Sequence, residues 1–169
     1  KNPLFKVILL GLSVAAASSL NARAQDQVRL PVADGTSIVV HYNELVRPLS
    51  MGGIYPDGAE TDRLDSFSQV VKKAFVDADL PVDVDVVRLG SRKSADLNIN
   101  VSINRWDLNS MGEYECRFSA TISNGSETLD LGVFVGTFNG LTIRHGTEYT
   151  YDVAARRAVD QMVSRFTRA

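Results

Sequence analysis

His41 and His145 are the only histidines in the sequence, and Cys116 is its only cysteine. A metal centre or an acid–base pair built on histidine needs partners at ligand spacing, such as His-x-x-x-His or paired cysteines, and neither is present. His41 falls in a strand pattern and His145 in a polar connector, where both read as ordinary side chains. Cys116 shares a face with Tyr114, Phe118, Ala120 and Ile122, which makes it a small core residue rather than a reactive thiol. Asp57, Glu60, Asp62 and Asp65 cluster without the spacing of a calcium loop and suit a solvated helix start. Asp83 and Asp85 stand two residues apart on one strand face, whereas a catalytic acid pair needs a cleft that splits its pKa values. No Gly-x-Ser-x-Gly and no Ser-x-x-Lys occurs. The glycines at 52–53, 132 and 136 are not followed by Lys-Ser/Thr, so they make no phosphate loop. In the last two, a strand bulge or close packing accounts for the glycine. The sequence therefore contains no catalytic set.

A better candidate for recognition is Asn98, Asn100, Ser102 and Asn104, followed by Arg105 and Trp106. These residues are hydrogen-bonding and, before Arg105, uncharged. Leu97, Ile99, Val101 and Ile103 alternate with them, which defines a strand with one dry and one wet face. A polar sheet face of this kind can accept a partner strand, a glycan or a lipid headgroup. Arg156, Arg157, Arg165 and Arg168 form a second polar group, read as the wet face of a terminal helix.

These residues are positioned by a simple succession of elements. Thr36–Val46 is a β-branched strand whose Ile38-Val39-Val40 run predicts burial on both sides. Leu49–Glu60 is a long loop dense in Gly, Pro and Asp. Leu64, Phe67, Val70, Val71, Ala74, Phe75 and Ala78 recur at helical spacing, and Pro81 stops that helix. Val82–Leu89 and Asp96–Trp106 read as strands forming a hairpin. Asn124-Gly125 is a strong hairpin turn between strands at 114–123 and 128–138; the Asn-Gly-Ser of a glycosylation acceptor is explained by the same turn. A last helix over 151–166 carries Val153, Ala154, Ala158, Met162, Val163 and Phe166 on one stripe. The order β-α-β-β-β-β-α predicts an α+β two-layer sandwich, a mainly antiparallel sheet of about five strands with two helices packed on one face.

Hydrophobic residues make up 44% and charged residues 22% of the 169 positions, ordinary values for one globular domain. Positions 1–24 hold Lys1, Lys6 and Arg23 and no acid. Setting those three aside leaves 15 basic against 20 acidic residues, a net of -5. A mildly acidic domain argues against nucleic acid as a partner. The apolar run Val7–Ala17 behind two lysines, then Ala22-Arg23-Ala24, reads as a signal peptide over 1–24 cleaved after Ala24; retention as an anchor is the alternative. The expected organisation is a signal peptide at 1–24, a lead-in segment at 25–35 and a single domain at 36–169. The mature protein is expected to be periplasmic or secreted, with no stable transmembrane span.

Between Thr36 and Arg168, the strand, the helix with its Leu64/Phe67/Val71/Phe75 stripe, the four-strand run and the closing helix with Ala154, Ala155 and Ala158 resemble one bacterial group. These are small cell-envelope proteins: auxiliary components of lipid-transport ABC systems, the lipopolysaccharide-assembly lipoprotein LptE and the amino-terminal domain of TolB. Many members carry a lipid-modified cysteine, which is lacking here, so the resemblance does not extend to outer-membrane tethering. It implies a non-enzymatic periplasmic accessory that binds an envelope protein or a lipid or glycan component, without a cofactor. The other readings of the residues are an exported hydrolase built on scattered acids with His41 or His145, and a self-associating secreted protein pairing through a strand such as 128–138.

Overall fold

A computed structural model describes residues 29–45, 59–93, 95–139 and 147–169. The expected signal segment, the cleavage position, residues 49–58 of the long loop and His145 lie outside the described residues, as do the side chains of Asp57, Glu60 and Asp62. The element order is β1 (Leu30–Val32), β2 (Ser37–Glu44), α1 (Ala59–Asp77), β3 (Asp83–Arg88), β4 (Leu97–Leu108), β5 (Tyr114–Ser123), β6 (Thr128–Phe138), α2 (Thr147–Val163) and β7 (Phe166–Arg168). This is the α+β architecture that the alternation of periods predicts: a five-stranded sheet with both helices on one side. Two short strands supplement it.

The sheet runs β3-β2-β4-β5-β6. It is antiparallel through β4, β5 and β6, its three longest strands, and parallel on both sides of β2. The expected hairpin between residues 82–89 and 96–106 is therefore absent, because β2 lies between β3 and β4. Two physical facts produce that arrangement. The β2–α1–β3 unit is a strand–helix–strand crossover, which brings β3 back parallel to β2. Ile38, Val39 and Val40 are 1%, 2% and 0% exposed, so β2 demands an interior place. The connection from β3 must then return from the level of Tyr42 to that of Ile38, on the far side of β2. Lys93 in this connection pairs with Asp85, the β3 neighbour of Val39, and Lys72 of α1 reaches the same carboxylate. The return is pinned by Asp96, whose carboxylate accepts from the Ser37 backbone N–H at 2.8 Å.

Between the helices and the sheet lies one apolar core. Phe67 on α1 is fully buried, with Tyr42 at 5.3 Å and Trp106 and Phe118 each at 5.9 Å between ring centroids. Truncating a residue so placed costs about 3–5 kcal/mol. The end of α1 follows from local geometry: Asp79 takes a left-handed φ of 53°, and the Leu80 N–H reaches back to the Phe75 carbonyl at 3.3 Å. That closes the last turn and buries Leu80. α2 approaches the sheet closely because Ala154, Ala155 and Ala158 face it, all 0% exposed.

The described part of the segment at 25–35 contains β1. Leu30–Val32 pairs in parallel with Phe166–Arg168, and Val32 and Phe166 are both buried. Phe166 accordingly belongs to β7 rather than to the terminal helix, and its ring sits 5.3 Å from Phe75.

Candidate functional site

The sheet face away from the helices is the place where unengaged polar side chains collect. Strand register sets them in rows: His41, Asn100, Thr121 and Asp130 run across β2, β4, β5 and β6, and Ser102, Ser119 and Val133 form the next row. Val39 on β2 is 2% exposed whereas Val133 on β6 is 62% exposed, so the open part is the β4–β5–β6 half. Asn98 is tied down there by its Oδ1, 3.2 Å from His41 Nε2. Among the described residues, Asn100, Ser102, Ser119 and Thr121 have no side-chain hydrogen-bond partner. Val133 stands beside them at 62% exposure.

The recognition residues expected from the sequence are thus divided. Asn98, Asn100, Ser102 and Arg105 share the open face. Asn104 is the extra residue of a bulge, since Ile103 pairs with Phe118 and Arg105 already pairs with Arg117. One inserted residue reverses the alternation beyond it, which turns Arg105 outward and Trp106 inward. Trp106 is 5% exposed, donates its indole N–H to the Tyr151 carbonyl at 3.1 Å and lies under the Arg63 guanidinium. It is a core residue and does not join the face.

Arg117, Ser119 and Thr121 on β5 belong to the face as well. They are the complement of the Tyr114/Cys116/Phe118/Ala120/Ile122 stripe, so period two applied to both sides of that strand would have found them. Glu115 falls on the same alternation, but its burial does not follow from it. It is the one buried charged residue among those described, at 5% exposure, and it lies beneath two arginines. Arg117 Nε is 3.0 Å from its Oε1, and Arg105 Nη1 is 3.9 Å from its Oε2.

A second polar cluster sits on the helix side. Arg63 pairs with Glu44 at 3.0 Å and donates to the Trp106 carbonyl at 3.0 Å, while the Tyr42 hydroxyl donates to Glu44 at 3.1 Å. Burial, then the Glu44 charge, pushes the Tyr42 phenol well above its ordinary value. This network ties α1 to β2 and β4 and keeps the tyrosine protonated. Cys116 lies close by, and burial pushes its thiol up to about 12. A neutral phenol and a neutral thiol inside a packed core supply no nucleophile. What the open face offers is hydrogen bonding, two guanidinium groups and one exposed apolar side chain, which is equipment for binding.

No family model matches the chain, and no curated protein matches it. Solved structures do resemble it. A dodecameric PelC from Paraburkholderia phytofirmans is 12% identical, over 79% of this chain and 91% of that one, with a TM-score of 0.49. A Xanthomonas campestris protein of the DUF330 family is 16% identical, over 79% and 83%, also at 0.49. A putative lipoprotein from Caulobacter crescentus is 15% identical, over 57% and 74%, at 0.35. The functional reading therefore rests on the chain's own residues.

Proposed function

We propose that this protein is an exported, non-enzymatic binding or assembly accessory of the cell envelope, docking its partner on the β4–β5–β6 half of the open sheet face. The observation that carries the reading is the contrast between the two faces. One is sealed by α1 and α2; the other leaves Asn100, Ser102, Ser119 and Thr121 without side-chain partners beside an exposed Val133. The signal-peptide pattern at 1–24 supports export. A charged, bulky side chain at Asn100 blocks the centre of the face without entering the core, so Asn100→Arg is the informative variant. Capture from envelope extract, with wild type and Asn100→Arg side by side, tests the reading. A protein, lipid or glycan held by the wild type and released by the variant supports it, and identical recovery from both contradicts it.

Self-association through β6 draws no support from the edge itself. Arg157 Nη1 donates to the Thr137 carbonyl at 2.6 Å and Gln161 Nε2 to the Val135 carbonyl at 2.8 Å. Two acceptors of this edge strand are thereby occupied from α2.

A further inference from the structure

We infer that Arg105 and Arg117 form a binding site for a phosphate group at the end of the open face, held in shape by the buried Glu115. The inference rests on the reading of that face as a docking surface and names the chemistry recognised at one end of it.

Arg105 and Arg117 are directly opposite one another on β4 and β5. Like charges in that relation destabilise a sheet, so stability alone does not favour the pairing. The bulge at Asn104 creates it, because without the extra residue Trp106 would face outward at this end and Arg105 inward. Glu115 forms ion pairs with both side chains, Oε1 facing Arg117 at 3.0 Å and Oε2 facing Arg105 at 3.9 Å. Its own side chain is only 7% exposed, whereas those of Arg105 and Arg117 are 48% and 49% exposed. The carboxylate is therefore sunk in the sheet and the guanidinium groups are presented to solvent above it. Each guanidinium carries five N–H donors, and Glu115 faces one nitrogen on each as an ion pair without taking a hydrogen bond from either. Asp107 is the other charged group on this end of the face, and its Oδ1 accepts the Leu108 N–H at 2.7 Å.

Donors remaining on two guanidinium groups, roughly 5 Å apart at the backbone, suit a tetrahedral anion with several oxygen acceptors. A single arginine already satisfies a carboxylate bidentately, so a pair favours phosphate. The phosphate arrives either as a free anion or as part of a lipid headgroup, and both present the same oxygens.

Two probes separate these sources: inorganic phosphate followed by titration calorimetry, and flotation with phosphatidylglycerol vesicles against phosphatidylcholine vesicles. Arg105→Gln/Arg117→Gln is compared with wild type and with Arg92→Gln, an exposed arginine of the β3–β4 connection. Saturable phosphate binding that the double variant weakens at least tenfold, with Arg92→Gln unchanged, supports the site for a free anion. Flotation only with phosphatidylglycerol, lost in the double variant, supports it for a headgroup. Binding of neither probe, or equal binding by the double variant, overturns the inference. Should the glutamine pair lose its fold by circular dichroism, Arg105→Lys/Arg117→Lys decides: it keeps the charge and loses the fork, and unchanged affinity overturns the site. Envelope capture that remains sensitive to Asn100→Arg while both phosphate arms fail removes this inference and leaves the docking face standing.

Discussion

A β-carbon built on Gly136 would lie 2.1 Å from the backbone oxygen of Ala154 and 2.6 Å from the backbone nitrogen of Ala158. The helix α2 thus rests on β6 at a point where only a hydrogen fits, and the alanines at 154, 155 and 158 complete the close approach. Backbone atoms cannot rotate away as a flexible side chain does. Gly136→Ala should therefore cost about 1–3 kcal/mol or more, because α2 must lift from the sheet. Gly132 provides the contrast. It has open space around its Cα but a φ of +92°, so Gly132→Ala should cost only the left-handed backbone penalty, about 1–2 kcal/mol. Urea denaturation of both variants checks the order.

Cys116 is fully buried, and its thiol is raised from 9.0 to about 12 by burial. A group whose acid form is favoured by folding contributes stability that is present below 9 and lost as pH rises toward 12. In the neutral range the folded protein should resist a thiol reagent and react only as fast as it opens. Labelling followed across a urea titration should coincide with the unfolding transition; rapid labelling without urea would place the thiol at the surface.

Asp85 lies between Lys93 and Lys72, whose hydrogen bonds hold its carboxyl below the usual carboxylate value of 3.8. The carboxylate form is thus favoured in the folded state, and its stabilisation is complete above 3.8 and lost as pH falls through the lower folded value. Asp85→Asn should weaken the protein at neutral pH and flatten the acid limb of its stability curve. The effect is modest, about 1 kcal/mol or less, because both lysines are half-exposed and screened by solvent. Thermal unfolding between pH 2 and 6 reads it.

Much of this fold is written in periodicity. β4 announces itself by four alternating aliphatic residues, α1 by its stripe and the β5–β6 hairpin by Asn124-Gly125. Asn124 in fact closes that turn by accepting the Glu127 N–H on its side chain at 3.0 Å. The partners of β2 are another matter, since Ile38-Val39-Val40 says that the strand is interior but not which strands flank it. Trp106 and Arg105 show the sharper limit. A bulge adds one residue without changing composition, and every assignment beyond Asn104 shifts to the other face. β1 and β7 have three residues each, too few to show a period. In the Arg105–Glu115–Arg117 group, Glu115 and Arg117 are two apart on one strand. Arg105 joins them only through register and the bulge, so no local pattern discloses the whole group.

Arg157 and Gln161 occupy the Thr137 and Val135 carbonyls on the outer edge of β6. Arg157→Ala/Gln161→Ala should leave the core intact and free those acceptors for another chain. Light scattering should show concentration-dependent mass for the double variant and a smaller dependence for the wild type. An unchanged mass would show that the edge is protected by something other than these two side chains.

The central claim is that the β4–β5–β6 half of the open face binds the partner. Its most direct measurement is capture from envelope extract by wild type, Asn100→Arg and Lys73→Ala, a control on the solvent side of α1, with bound protein, lipid and glycan identified by mass spectrometry. The account predicts a component retained by the wild type and by Lys73→Ala and lost from Asn100→Arg, with all three proteins equally folded by circular dichroism. A component retained equally by Asn100→Arg would contradict it and move the docking surface off the sheet.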